Sequence, residues 1–263
     1  MATYLDKILA AHRAAAAADP RNPDEVLEGA RQVGETPRGF TDALRSGWSH
    51  GLAVIAEVKR RSPSKGEIAV DLDPAAHARA YVTGGASCLS VLTDVEFFGG
   101  SADDLRAARG AVAVPVLRKD FTIDQRDVCD ARLMGADAVL LIVAALDDGE
   151  LADLHQLATE LALDVLVEVH DEPELERALT VGATVVGVNQ RDLNTFEVDH
   201  HRAVRVGQAM PEGVVRVAES GIRGRDDAVA LAAAGFHAVL VGESIVTAGD
   251  PAQSVADLRV LHR

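Results

Sequence analysis

From about residue 53 onward one rhythm repeats along the chain. A short apolar run rich in Val, Ile and Leu ends in a polar tip, and a longer stretch of helical periodicity follows. The apolar runs cover residues 53–59, 88–93, 114–119, 138–143, 165–169, 185–189, 215–219 and 238–242. The spacing between them predicts helices over 74–83, 102–109, 125–134, 148–161, 173–181, 202–208 and 225–234, with a last one over 251–261. Glycines at 84, 135, 182 and 235 stand where helices commonly stop.

Eight strands alternating with eight helices form either an open doubly wound sheet or a closed barrel. With eight runs and no long excursion between them, closure is favoured, so the expected fold is an α/β chain of the (β/α)8 TIM barrel type. Residues 1–50 precede the first strand as an N-terminal helical extension, with segments at 4–18, 23–33 and 40–46 broken near Pro20, Pro23 and Pro37. Residues 51–263 form the barrel, and nothing linker-like divides the chain, so 1–263 is read as a single domain.

Composition narrows the function classes. The chain has 263 residues, 48% of them hydrophobic, enough for one large core. Its 41 acidic and 26 basic residues give a net charge of −15, which repels nucleic acid and anionic lipid. No apolar run reaches the roughly 18–20 residues that cross a bilayer. The alanine run Ala14–Ala18 lies among His12, Arg13, Asp19 and Arg21 and reads as helix rather than signal peptide. Cys88 and Cys129 lack metal-ligand spacing and suit a reducing cytoplasm. The expectation is a cytoplasmic protein without nucleic-acid or membrane partners, monomeric or weakly homo-oligomeric.

Barrel enzymes place their chemistry at the C-terminal strand ends, so charges closing apolar runs are informative. Ala53, Ile55, Glu57 and Lys59 share one face of the first strand by the two-residue period. The third run ends in Lys119, the fifth carries Glu168, the sixth presents Asn189 and then Arg191, and the seventh ends in Glu219. Any one of these alone reads as a solvated tip. Together, two lysines, three acids and an Asn/Arg pair on inward positions would cost several kcal/mol each as tolerated polarity, so a polar active site is expected. After the seventh and eighth strands come Ser220-Gly221 and Gly242-Glu243-Ser244, at the barrel's common phosphate position. Ser62 and Ser64, in the basic loop from Arg60 to Gly66, supply hydroxyls and positive charge from the other side, or form an ordinary turn.

These motifs resemble one family. The segment Ile55-Ala56-Glu57-Val58-Lys59-Arg60-Arg61-Ser62-Pro63-Ser64-Lys65-Gly66 resembles the signature of indole-3-glycerol-phosphate synthases. Ser90 to Asp94, Phe97 to Ser101, Leu117 to Phe121, Leu166 to Val169, Gly187 to Leu193, Ala218 to Ile222 and Val241 to Ser244 follow in the family's order. Gln190 departs from an expected asparagine and should point away from the mouth. The resemblance implies conversion of 1-(2-carboxyphenylamino)-1-deoxyribulose 5-phosphate to indole-3-glycerol phosphate, with loss of carbon dioxide and water.

It further implies roles. Lys119 becomes the general acid and Glu168 the general base. Lys59 pairs with the substrate carboxylate or shares the acid work, while Glu57 and Glu219 surround the lysines. Asn189 and Arg191 orient the ring and its carboxylate. Ser62, Ser220, Gly221, Gly242 and the backbone of Glu243 hold the phosphate. Leu92, Phe98, Phe121, Leu141 and Leu193 give an apolar floor, with plain core packing as the alternative for Leu92 and Leu141. No cofactor or metal is expected, since His200 and His201 are adjacent and His170 lacks a histidine partner at another strand tip. A related isomerase would carry a cysteine where this chain has Glu57 and Lys59, and a sugar-phosphate epimerase would need metal-binding histidines at strand ends. A scaffold without catalysis has no use for so many buried charges.

Overall fold

The computed structural model describes residues 3–63, 65–192 and 197–261. Eight parallel strands close into a barrel: β1 (Ala53–Val58), β2 (Cys88–Leu92), β3 (Val116–Lys119), β4 (Ala138–Ile142), β5 (Asp164–Val169), β6 (Val185–Asn189), β7 (Val215–Glu219) and β8 (Ala238–Val241). Each strand pairs with its sequence neighbours and β8 pairs with β1, so the sheet has no edge. The strand positions follow the apolar runs within about two residues at either end.

Helices α1 (Tyr4–Ala18), α2 (Pro23–Arg31) and α3 (Phe40–Trp48) precede the barrel. Around it run α4 (Pro74–Thr83), α5 (Ala102–Ala111), α6 (Gln125–Met134), α7 (Asp148–Glu160), α8 (Glu172–Thr180), α9 (His200–Ala209), α10 (Arg225–Ala233), the one-turn α11 (Glu243–Val246) and α12 (Pro251–Leu258). Aspartate side chains at 73, 124, 147, 171, 199 and 250 cap helix N-termini by accepting backbone N–H groups. Part of the chain's acidity is therefore capping chemistry. Three of the four expected helix-stop glycines, Gly135, Gly182 and Gly235, take left-handed φ of 87°, 83° and 84°. Gly84 stays right-handed, and Gly85 makes the turn instead.

The extension wraps one flank of the barrel. At the mouth, α1 brings His12 Nε2 within 2.9 Å of Asp94 Oδ2, and the Arg13 guanidinium donates to Glu150. Further down, α2 packs on α6, and Arg132 donates to the carbonyls of Val33 and Glu35. At the far end, α3 lies against β1, β2 and β7 with Phe40 and Leu44 fully buried, closing the floor. Three small elements lie outside the apolar rhythm: a hairpin pairing Arg61–Ser62 with Gly66–Glu67, a 3-10 turn over Val143–Ala145, and the turn of α11.

Candidate active site

The C-terminal strand ends open into a cavity of about 480 Å³. Strand alternation puts Glu57, Leu92, Lys119, Leu140, Ile142, Glu168, Asn189, Glu219 and Leu240 on its wall, and register ties them together. Leu92 pairs with Lys119, Ile142 with Glu168, Asn189 with Glu219, and Glu219 with Leu240.

Glu57, Glu168 and Glu219 are 4%, 1% and 2% exposed, a density of buried acid that must be compensated. Lys59 Nζ donates to Glu57 Oε1 at 2.6 Å. Lys119 Nζ donates to Glu168 Oε2 at 3.2 Å and lies 3.9 Å from Glu219 Oε2. Asn189 donates to Glu168 Oε1 at 3.0 Å, and its own carbonyl accepts the Arg191 backbone N–H at 3.0 Å. Glu168 is thereby fixed by two donors, one charged and one neutral.

The two acids nearest Lys119 diverge in acidity. Burial pushes Glu168 upward, but Lys119, His170 and the Asn189 amide outweigh it, and the carboxyl sits below its ordinary value. Burial also pushes Glu219 upward, and there the neighbouring charge of Glu168 adds to it, so Glu219 lies well above the carboxylate range. A single proton on the pair is therefore held on Glu219 rather than Glu168. Burial lowers Lys119, yet Glu168, Glu219 and Glu57 together raise it above an ordinary lysine, which keeps it cationic. The site thus presents an ionised carboxylate and a protonated amine 3.2 Å apart.

Two glycines make room for this cluster. A β-carbon on Gly187 would overlap the Glu219 carboxylate. One on Gly242 would overlap Glu57 Oε1 and crowd Lys59 Nζ, so glycine there also leaves room for the Glu57–Lys59 pair. Gly242 still lines the cavity with Ser62, Ser220, Gly221 and Glu243. Ser220 and Gly221 both have positive φ, 66° and 71°, and a strained serine at a cavity wall marks a backbone held for use. Lys65 lines the same end, 3.5 Å from Glu243. Arg60 instead bridges Asp104 and the carbonyls of Val70 and Leu72, which anchors the loop.

Phe98 and Phe121 line the cavity with ring centroids 6.3 Å apart, and Leu92 joins them at the wall. Leu141 does not: it pairs with outward-facing Val167 and is buried against the helices, while Leu140 and Ile142 face inward. Leu193 and Ser64 lie outside the described residues. Arg191 lines the cavity, and Gln190 turns away, donating to the Ser220 carbonyl.

Sequence reasoning missed the contribution of the extension: Tyr4, Leu5 and Ile8 of α1 also line the cavity. It missed one His/acid group as well. Ligand atoms of His12, Asp94 and Asp120 lie within 4.8 Å of one another. These groups are already engaged: Asp94 accepts from His12 and from the backbone N–H groups of Phe97 and Phe98, and Asp120 accepts from Arg118, Thr93 and the Phe121 N–H.

Among solved structures, the fold is similar to thiamine phosphate pyrophosphorylase from Pyrococcus furiosus, with a TM-score of 0.60 and 16% identity over 81% of this chain and 95% of that one. It is also similar to N-acetylmannosamine-6-phosphate 2-epimerase from Clostridium perfringens, with a TM-score of 0.59 and 11% identity over 75% and 89% of the two chains. Likeness at that identity concerns the fold alone. Curated relatives are nearer: the indole-3-glycerol phosphate synthase of Mycolicibacterium vanbaalenii is 51% identical over 98% of this chain and 94% of its own length. That of Mycobacteroides abscessus is 50% identical over 97% and 93%. The family model described as indole-3-glycerol phosphate synthase matches residues 5–258, and with it the chain belongs to the indole-3-glycerol phosphate synthase family.

Proposed function

We propose that this chain closes the indole ring of indole-3-glycerol phosphate, with the cluster around Lys119 as its catalytic centre. The observation that carries the reading is a lysine kept cationic beside a carboxylate kept ionised, at the end of an apolar cavity. The substrate is a phosphorylated aminodeoxyribulose bearing a carboxyphenyl ring. Its phosphate sits at the strand β7 and β8 end, against Ser62, Ser220, Gly221, Gly242 and the backbone of Glu243, with Lys65 nearby. Its ring lies against Leu92, Phe98 and Phe121, with Leu140 and Ile142 in place of Leu141.

Lys119 donates a proton to the ketone oxygen as the ring carbon bearing the carboxylate attacks the carbonyl carbon. The bond to carbon dioxide then breaks, and its electron pair restores the aromatic ring. In the second half the new hydroxyl leaves as water, and Glu168 takes a proton from the carbon next to nitrogen. Lys59 faces the substrate carboxylate or shares the acid work. Glu57 holds Lys59, Asn189 holds Glu168, and Arg191 orients the ring carboxylate. A lysine polarises the ketone in this scheme, so neither metal nor cofactor takes part.

We also read the chain as one domain, residues 1–50 being the extension and 51–263 the barrel, working in the cytoplasm as a monomer or weak homo-oligomer. No helix among the described residues is long and apolar enough to cross a membrane. The test is indole fluorescence from purified, chelator-treated protein given the carboxyphenylamino substrate. Product is expected without added ion. Activity lost to chelator and restored by a divalent ion would overturn the metal-free scheme, and absence of product under all conditions would overturn the function.

A further inference from the structure

We propose that His170 and Glu174 form a proton relay between solvent and the buried Glu168 carboxylate, through which the reaction takes up the proton it consumes. His170 follows β5 directly, and Glu174 lies in the first turn of α8. The His170 backbone N–H donates to Glu174 Oε2 at 2.7 Å, and its Nδ1 lies 3.0 Å from the same oxygen. An ionised carboxylate only accepts, so Nδ1 carries the hydrogen and the ring's other nitrogen faces inward. That nitrogen, Nε2, is buried, has no hydrogen-bond partner among the described residues, and lies 3.8 Å from Glu168 Oε1.

A buried nitrogen without a partner is costly to maintain, and here the Glu174 contact orients the ring so that this nitrogen points at the base. The charges facing the imidazole are Glu168 on its own strand end, Glu174 on α8 and Arg202 on α9. Burial lowers its basicity, but the two carboxylates outweigh burial and the guanidinium, so it gains protons above an ordinary histidine's range. Glu174 is partly exposed and gives the chain of groups an outer end.

The stoichiometry of the reaction calls for such a path. With the substrate carboxylate ionised, two protons go to one oxygen as ketone becomes hydroxyl and then water. One proton returns from the carbon next to nitrogen, while carbon dioxide leaves without a proton and its bonding pair returns to the ring. Each turnover therefore draws one proton from solvent. In the relay the imidazolium, protonated on both nitrogens, gives its Nε2 proton to Glu168, which passes it on to Lys119, 3.2 Å away, and the neutral ring then turns its bare nitrogen out past Glu174 to be reprotonated from water.

The inference rests on the reading of Glu168 as the base. The experiment compares kcat and KM of wild type, His170→Asn and Glu174→Gln across about pH 5.5 to 9, with and without imidazole. His170→Asn is expected to lower kcat roughly tenfold with KM within about twofold, to lose the alkaline decline that follows histidine deprotonation, and to regain rate with imidazole. Glu174→Gln removes a carboxylate from the imidazolium, so the alkaline decline should move to lower pH. A folded His170→Asn with an unchanged profile, or a loss that neither pH nor imidazole alters, would overturn the relay. If that variant does not fold, an unmoved limb in Glu174→Gln overturns it equally. Glu168→Gln with retained turnover would remove base and relay together, whereas an inactive Glu168→Gln beside an unaffected His170→Asn removes the relay alone.

Discussion

The two ends of the barrel both bury charge, and they treat it differently. At the floor, Asp137 accepts the backbone N–H groups of Arg38 and Val116 at 2.9 and 2.8 Å and the Arg109 guanidinium at 3.0 Å. Asp164 accepts the N–H and hydroxyl of Thr41. Every oxygen of these two carboxylates is matched by a donor from the extension or its neighbours, so the charges tie α3 and its approach to the barrel. At the mouth, Glu219 Oε1 has no partner among the described residues, His170 Nε2 likewise, and three acids share two lysines. Among these acids, completeness of hydrogen bonding separates charge kept for stability from charge kept for chemistry.

The comparison breaks most readily through Lys119. Lys119→Met should fold normally and lose turnover by a factor on the order of 10² to 10⁴, with substrate affinity held within about tenfold, while Glu168→Gln should stall after ring closure. Single-turnover traces read both, and near-wild-type traces would take these residues out of their roles. At the floor the pattern reverses. Asp137→Ala leaves Arg109 buried beside two unsatisfied N–H groups and should destabilise the fold by about 3–5 kcal/mol in urea, with turnover per folded molecule unchanged.

A smaller effect is expected where the extension meets the mouth. Burial depresses the His12 imidazole, but Asp94 and Asp120 outweigh it and raise its pKa above the ordinary 6.5. A raised pKa means the pair's stability is fully present below about 6.5 and is lost as pH rises through the folded value. His12→Gln should therefore cost about 1 kcal/mol or less near pH 6 and almost nothing near pH 9. An equal cost at both pH values would show that ring packing against Phe121, and not charge, holds α1 in place.

Much of this was legible in the chain because strands and charges mark each other. Where a strand ends in a charged or amide residue, as at Lys119, Glu168, Asn189 and Glu219, the two-residue period fixes which side chains face inward. The fourth strand, Ala138–Ile142, is apolar throughout, so nothing in the sequence sets its phase, and the choice between apolar floor and core packing for Leu141 stays open until the structure turns Leu140 and Ile142 inward instead. The glycine at 242 announced a close approach, but a sequence does not say what approaches. Tyr4, Leu5 and Ile8 were invisible as site residues because the docking of α1 is a long-range contact with no local periodicity to report it.

Glu219 tests the contrast most directly, because the account holds that its proton is retained at the expense of stability. Its pKa is raised well above 4.5, so above the unfolded value folding takes up a proton, and that cost grows as pH rises toward the folded value. Glutamine has the same shape, keeps a donor toward Glu168 and does not titrate. Thermal unfolding and turnover of Glu219→Gln should be measured together near pH 7.5 and pH 5. The account predicts a higher Tm than wild type at pH 7.5, a gain that shrinks at pH 5, and reduced turnover. A lower Tm at both pH values with turnover intact would mean that Glu219 is held as Asp137 is, for stability, and would contradict the distinction between the two ends.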